Sequence, residues 1–151
     1  MMKIKKIIAT VTCCLGMLFP LHTQSSTDTP SVEYIQSNLH CMTQAIYHEA
    51  RGEGHVGMLA VAHVIVNRTM SPMYPDDVCE VISQRGQFPW SKSATKVVDH
   101  AMFAHAMSLA WDVLSGKTKD PTKGATMFHS ASVQPNWNRP VKARIRNQVF
   151  Y

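Results

Sequence analysis

No acidic residue precedes Asp28, and no charge of either sign interrupts the apolar stretch Ile7–Leu21. Lys3, Lys5 and Lys6 stand ahead of that stretch, and polar His22–Ser26 follows it. A basic start, an apolar run and a small polar exit make a secretory signal peptide, with cleavage after Ser25. The competing reading is an uncleaved membrane anchor, which needs about 20 apolar residues, more than this run supplies. Cys13 and Cys14 follow too short an apolar run to suit a lipoprotein. A strong net charge is missing as well. The three early lysines belong to the fifteen basic residues, so removing residues 1–25 lowers the net charge from +5 to +2. Such a balance does not argue for nucleic-acid binding and leaves an ordinary solvated surface, or an anionic wall polymer or membrane surface, as equal options. There is no Gly-x-Ser-x-Gly elbow, no phosphate-binding glycine loop, no repeat and no low-complexity tract. Serine-elbow hydrolase and P-loop chemistry fall away with them.

Cysteine is scarce. Beyond the leader only Cys41 and Cys79 remain. An even pair in an exported chain favours a disulfide, and two buried free thiols are the alternative. A bridge would close a loop of about 38 residues and contribute about 3–4 kcal/mol through chain entropy. It would also remove both thiols as nucleophiles.

What is present has one core's worth of apolar residues. Residues 26–39 are polar and contain Pro30, which reads as a flexible linker. The domain then runs over 40–151. Cys41–Ala50 has helical spacing, and Gly52 and Gly54 break it. Val56, Leu59, Ala60 and Val64 mark an amphipathic helix over 55–69. Pro75, with Asp76 and Asp77, opens a helix reaching about Ser83. Apolar residues at helical spacing predict a longer helix over 94–115, stopped by Gly116. After turn-forming Asp120–Gly124, residues 125–133 and 145–151 are aromatic and β-branched and read as two strands. The layout is α+β: mainly helical, with a small C-terminal β element.

Chemistry concentrates in Tyr47–Gly54, which holds Glu49, Arg51 and Glu53 within a few residues. A carboxyl at a helix end beside Ala45, Ile46 and Ala50 is partly desolvated, and desolvation raises its pKa toward what a general acid needs. Helix capping or a plain Glu–Arg pair is the bland alternative. Arg51 helps most if it pairs with Glu53 and leaves Glu49 unpaired. His48-Glu49 begins like a zinc-protease helix, but that motif needs a second His where Gly52 stands. No metal and no cofactor is expected. His63 and His105 lie on apolar helix faces and read as core histidines.

Several stretches in order resemble the SleB-type cell wall hydrolases, the spore-cortex-lytic enzymes and their relatives. They are Ala45–Glu53 with its Glu-Ala-Arg-Gly-Glu, Gly57–Arg68, Tyr74–Cys79, Gln87–Trp90, Gly124–His129 and Pro135–Trp137. The Cys41/Cys79 pair resembles an exported, Gram-negative branch. The resemblance implies a lysozyme-like fold and cleavage of peptidoglycan glycan strands between N-acetylmuramic acid and N-acetylglucosamine by a lytic transglycosylase. It makes Glu49 catalytic, with Arg51 and Glu53 shaping the site. Gln87, Phe88, Trp90, His129 and Trp137 fall in the matching motifs. Of these, Phe88, Trp90 and Trp137, together with Tyr47, are sugar-stacking candidates, or else core aromatics. The family usually ends Ile-Gly-Asn-His-x-Phe-Tyr, whereas this chain has Arg146 for the Gly and Gln148 for the His. A Gln still forms hydrogen bonds but does not titrate. The expected protein is a monomer in the periplasm or outside the cell that meets peptidoglycan, with no nucleic acid and no stable membrane insertion after leader cleavage. The rival readings are hydrolysis with Glu53 as second carboxylate, an inactive peptidoglycan-binding or regulatory module, and a zinc-dependent hydrolase.

Overall fold

The structure is a computed structural model that describes residues 29–92 and 96–151. The expected signal peptide, 1–25, lies outside the described residues. Among those described, no helix is long and apolar enough to cross a membrane. Four α-helices precede a three-stranded antiparallel sheet, so the expected α+β layout is the one found.

Helix α1 spans Val32–Ala50. It takes up the last eight residues of the stretch 26–39 expected to be linker, which corrects that boundary. Ser31 caps it by accepting the Tyr34 N–H at 3.1 Å, and Glu33 sits favourably in its first turn. Polar composition hid this because the first turns are solvated on most sides, with Asn38 the first buried residue. Ala50 O then accepts the Glu53 N–H at 2.9 Å, and Gly54, at φ +66°, reverses the chain into α2, Gly54–Thr69.

Helix α3 is Val78–Ser83, capped by Asp77, which accepts the Glu80 N–H. The expected start at Pro75 is therefore early by about one turn, because Asp77 supplies a better cap than the proline. A 3₁₀ turn at Pro89–Lys92 follows. Helix α4, His100–Leu114, also starts later than its spacing suggests. Asp99 caps it through the Met102 N–H, and the Tyr47 hydroxyl accepts the N–H groups of Val98 and Asp99 at 3.1 and 3.0 Å. Those bonds hold the approach to α4 in an extended form. Gly116 follows the helix at φ +69°, as expected.

Strands β1 (Phe128–Ser130), β2 (Ala143–Ile145) and β3 (Gln148–Phe150) form a sheet in the order β1-β3-β2. The single strand expected over 145–151 is instead a turn and one strand. Arg146, at φ +52°, turns the chain where the resemblance has a glycine. The main core joins α1, α2, α3 and α4 through Met42, Ile46, Val61, Ile65, Val81 and Leu109. A second cluster of Ala60, Val64, Ala125 and Phe150 seats the sheet on α2. The expected disulfide is present: Cys41 and Cys79 are bonded with Cα atoms 5.4 Å apart, tying α1 to α3.

Candidate active site

Glu49 lies in the last turn of α1, where the negative end of the helix dipole disfavours a carboxylate. Its side chain is half-buried. Burial raises its pKa, opposed first by a hydrogen bond from Trp90 and then by the charge of Arg68. Trp90 Nε1–H donates to Glu49 Oε1 at 2.8 Å. The indole is braced by the His48 ring, 4.8 Å away between centroids, and His48 Nε2 bonds Gln44 Oε1 at 3.1 Å. Burial, aided by Arg51, lowers the His48 pKa, which favours a neutral ring at pH 7.

A cavity of about 390 Å³ opens on Glu49. The helical side supplies Glu49 and Arg68, the loops before and after α3 supply Tyr74 and Gln87, and the sheet side supplies Phe128, His129, Ser130 and Trp137. His129 Nδ1 bonds Ser130 O at 2.7 Å and Nε2 bonds the Tyr151 hydroxyl at 2.9 Å. A carbonyl can only accept, so Nδ1 carries a proton; in the neutral ring Nε2 accepts from Tyr151. Trp137 stands edge-on to both rings at 5.5 Å and is 38% exposed. No second carboxylate lines the cavity among the described residues. No group of three or more His, Cys, Asp or Glu that could hold a metal occurs among them either.

The structure thus gathers Glu49, Gln87, Trp90, His129 and Trp137 at one place. Other expected site residues are elsewhere. Arg51 is exposed and covers the Tyr47 ring at 5.0 Å instead of framing Glu49. Glu53 Oε2 accepts the Asn147 N–H at 3.0 Å and so holds the β2–β3 turn against the start of α2. Tyr47 and Phe88 are 0% and 1% exposed, which rules them out as sugar platforms and makes them core. Gln148 is buried in β3, and its Oε1 has no hydrogen-bond partner. His63 is a core histidine as expected, bonded to Thr118 Oγ1 at 2.9 Å. His105 is not: it is exposed, beside His55.

Arg68 and Tyr74 were missed. Arg68 ends an otherwise apolar helix, where an arginine usually reaches solvent. Here it is 4% exposed, and its Nε–H donates to Thr126 O at 2.7 Å. The acceptor is brought into place by Asn67, which bonds Asp120 and Ala125 O and so ties α2 to the chain entering β1. Only that tertiary link turns Arg68 inward.

The arrangement is thus one partly desolvated acid facing an aromatic-walled cavity. The model of the cell wall hydrolase family matches residues 52–151, beginning three residues after Glu49. The spore cortex-lytic enzyme of Halalkalibacterium halodurans is 35% identical over 134 residues, covering 84% of this chain and 38% of that protein. The one from Bacillus subtilis is 30% identical, with coverages of 78% and 38%. The chain therefore spans about two fifths of the length of these curated relatives. Among solved structures, the catalytic domain of the germination-specific lytic transglycosylase SleB from Bacillus anthracis is similar with a TM-score of 0.65 and 28% identity, covering 80% of this chain and 98% of that one. The catalytic domain of Bacillus cereus SleB matches with a TM-score of 0.67 at the same identity, covering 84% and 98%. The chain belongs to the SleB-type cell wall hydrolase family.

Proposed function

We infer that the protein cleaves peptidoglycan glycan strands between N-acetylmuramic acid and N-acetylglucosamine as a lytic transglycosylase, with Glu49 as both acid and base. The observation that carries this reading is the solitary carboxyl: Glu49 is the one acid lining the cavity among the described residues. Glycosidases that use water commonly need two carboxyls at a set separation. The nearest candidate in sequence, Glu53, is occupied in holding the Asn147 N–H.

One acid suffices if the substrate supplies its own nucleophile. Protonated Glu49 gives its proton to the glycosidic oxygen as the bond to the muramic acid C1 breaks. The N-acetylglucosamine leaves with a free 4-hydroxyl. The Glu49 carboxylate then takes the proton of the muramyl C6 hydroxyl, whose oxygen closes on C1 as a 1,6-anhydro ring. No water enters, and Glu49 ends protonated. Burial favours the acid form at the start. The Trp90 N–H and the Arg68 charge steady the carboxylate midway.

The Cys41–Cys79 bond supports a site of action outside the reducing cytoplasm, on the wall, after removal of residues 1–25. Purified sacculi digested with the protein should release muropeptides ending in 1,6-anhydro rings, each lighter by one water than a reducing-end product. Glu49→Gln should lower release by at least about 100-fold while leaving the fold intact. Reducing ends would overturn the transglycosylase step, and normal digestion by the variant would remove Glu49 from the mechanism.

A further inference from the structure

Arg68 is an odd residue to bury. Its guanidinium lies against the Tyr74 and Phe88 rings, 5.3 and 5.5 Å from their centroids, and is pinned by the bond to Thr126 O. Thr126 is itself fixed, its N–H donating to Tyr151 O at 2.9 Å. The head group is thus held in one place before any ligand arrives. Yet this nearly buried side chain still lines the Glu49 cavity. The guanidinium stays charged, since arginine does not deprotonate in proteins. Among the described residues it makes no salt bridge, and it is the only lysine or arginine lining the Glu49 cavity. When Glu49 is protonated, as the first catalytic step requires, nothing in the cavity balances this charge. With Glu49 neutral, a desolvated cation held only by Thr126 O and the Tyr74 side chain is costly, and an acceptor carried by the ligand would offset that cost.

We propose that the Arg68 guanidinium binds the oxygen of the muramic acid 3-O-lactyl group, and that this bond lets the site tell a muramyl glycan from a chain of N-acetylglucosamine alone. The inference rests on the reading of Glu49 as the acid that cleaves at muramic acid. The two sugars of the strand share their N-acetyl groups and ring hydroxyls, and they differ in the lactyl group. It hangs from C3 of the ring whose C1 carries the scissile bond, so a muramyl residue seated against Glu49 brings it into the same cavity. Its end is a carboxylate where the strand bears no peptide and an amide carbonyl where it does. Both accept from a guanidinium, and the carboxylate does so more strongly.

Binding is measured calorimetrically on the full chain carrying Glu49→Gln, so that nothing is consumed. The probes are a peptide-free GlcNAc–MurNAc tetrasaccharide, its peptide-bearing counterpart, and tetra-N-acetylchitotetraose. The peptide-free muramyl ligand should bind about 10- to 100-fold tighter than the chitin oligomer, the worth of one charged hydrogen bond. The peptide-bearing ligand should fall between them. Lowering the pH through the carboxylate range near about 4 should erase the advantage of the peptide-free ligand alone. Adding Arg68→Met should bring all three ligands within about threefold of one another. If that variant does not fold, Arg68→Lys, which keeps the charge but loses the fork, should narrow the gap in part. Equal binding of muramyl and chitin ligands by the Glu49→Gln protein overturns this role for Arg68 and leaves the glycan reading standing. A preference that survives Arg68→Met also overturns it. Binding of none of the three overturns the glycan reading itself.

Discussion

Replacing both bridge cysteines, Cys41→Ala with Cys79→Ala, tests how the site is held. The bond joins α1, two turns before Glu49, to the start of α3, whose following loop carries Trp90. The cysteines are 38 residues apart in sequence. Opening a loop of that length frees the unfolded chain by about 4 kcal/mol at 25 °C in the chain-entropy account. For a domain of this size that is a fall in Tm on the order of 10 °C. The folded state should change little, because Ala45 and Ile46 of α1 still pack with Val81 and Ile82 of α3 in one core. Urea unfolding followed by far-UV circular dichroism gives both midpoint and slope. The midpoint should fall, and the slope should rise as the uncrosslinked denatured chain exposes more surface. Activity on sacculi at a temperature well below Tm should be retained. A stability loss under about 1 kcal/mol would refute the entropic reasoning. Lost activity with unchanged stability would show instead that the bridge acts on the geometry around Glu49 and Trp90.

Trp90→Phe removes the N–H that holds the Glu49 carboxylate. That bond lowers the Glu49 pKa, so its loss leaves burial to raise it further. A general acid works while protonated, so the alkaline limb of kcat/KM should move to higher pH while the maximum falls about tenfold; a limb that stays in place contradicts the assignment. Tyr47→Phe strips the acceptor from the N–H groups of Val98 and Asp99 and should cost about 1–2 kcal/mol in denaturant unfolding, with activity per folded molecule unchanged. Arg146→Gly relieves a side chain held at φ +52° and should stabilise by about 1 kcal/mol, seen as a Tm a few degrees higher.

Local signals read well where local physics decides. Gly116 stops α4, and the spacing of Val56, Leu59, Ala60 and Val64 gives α2. The α+β layout and the disulfide were legible for the same reason. Legibility failed where a distant partner intervened. The start of α4 depends on Tyr47, about fifty positions earlier, and the β2–β3 turn is held by Glu53, 94 positions away. Glu53 looked like a second reactive acid because it is near Glu49 in the chain. The turn between α1 and α2 separates their side chains and gives Glu53 a structural task.

The sequence by itself determined that helices come first and a small sheet last, because propensity and periodicity act over a few residues, and that Cys41 and Cys79 are the pair left to bridge. Only the tertiary structure decided the company Glu49 keeps. It moved the cation from Arg51 to Arg68 and turned Tyr47 and Phe88 into core. It also brought His129 and Trp137 from the far end of the chain to face the acid. Desolvation, which raises the Glu49 pKa, belongs to that same assembly, since water is excluded from a carboxyl by what packs around it, whatever its neighbours in sequence.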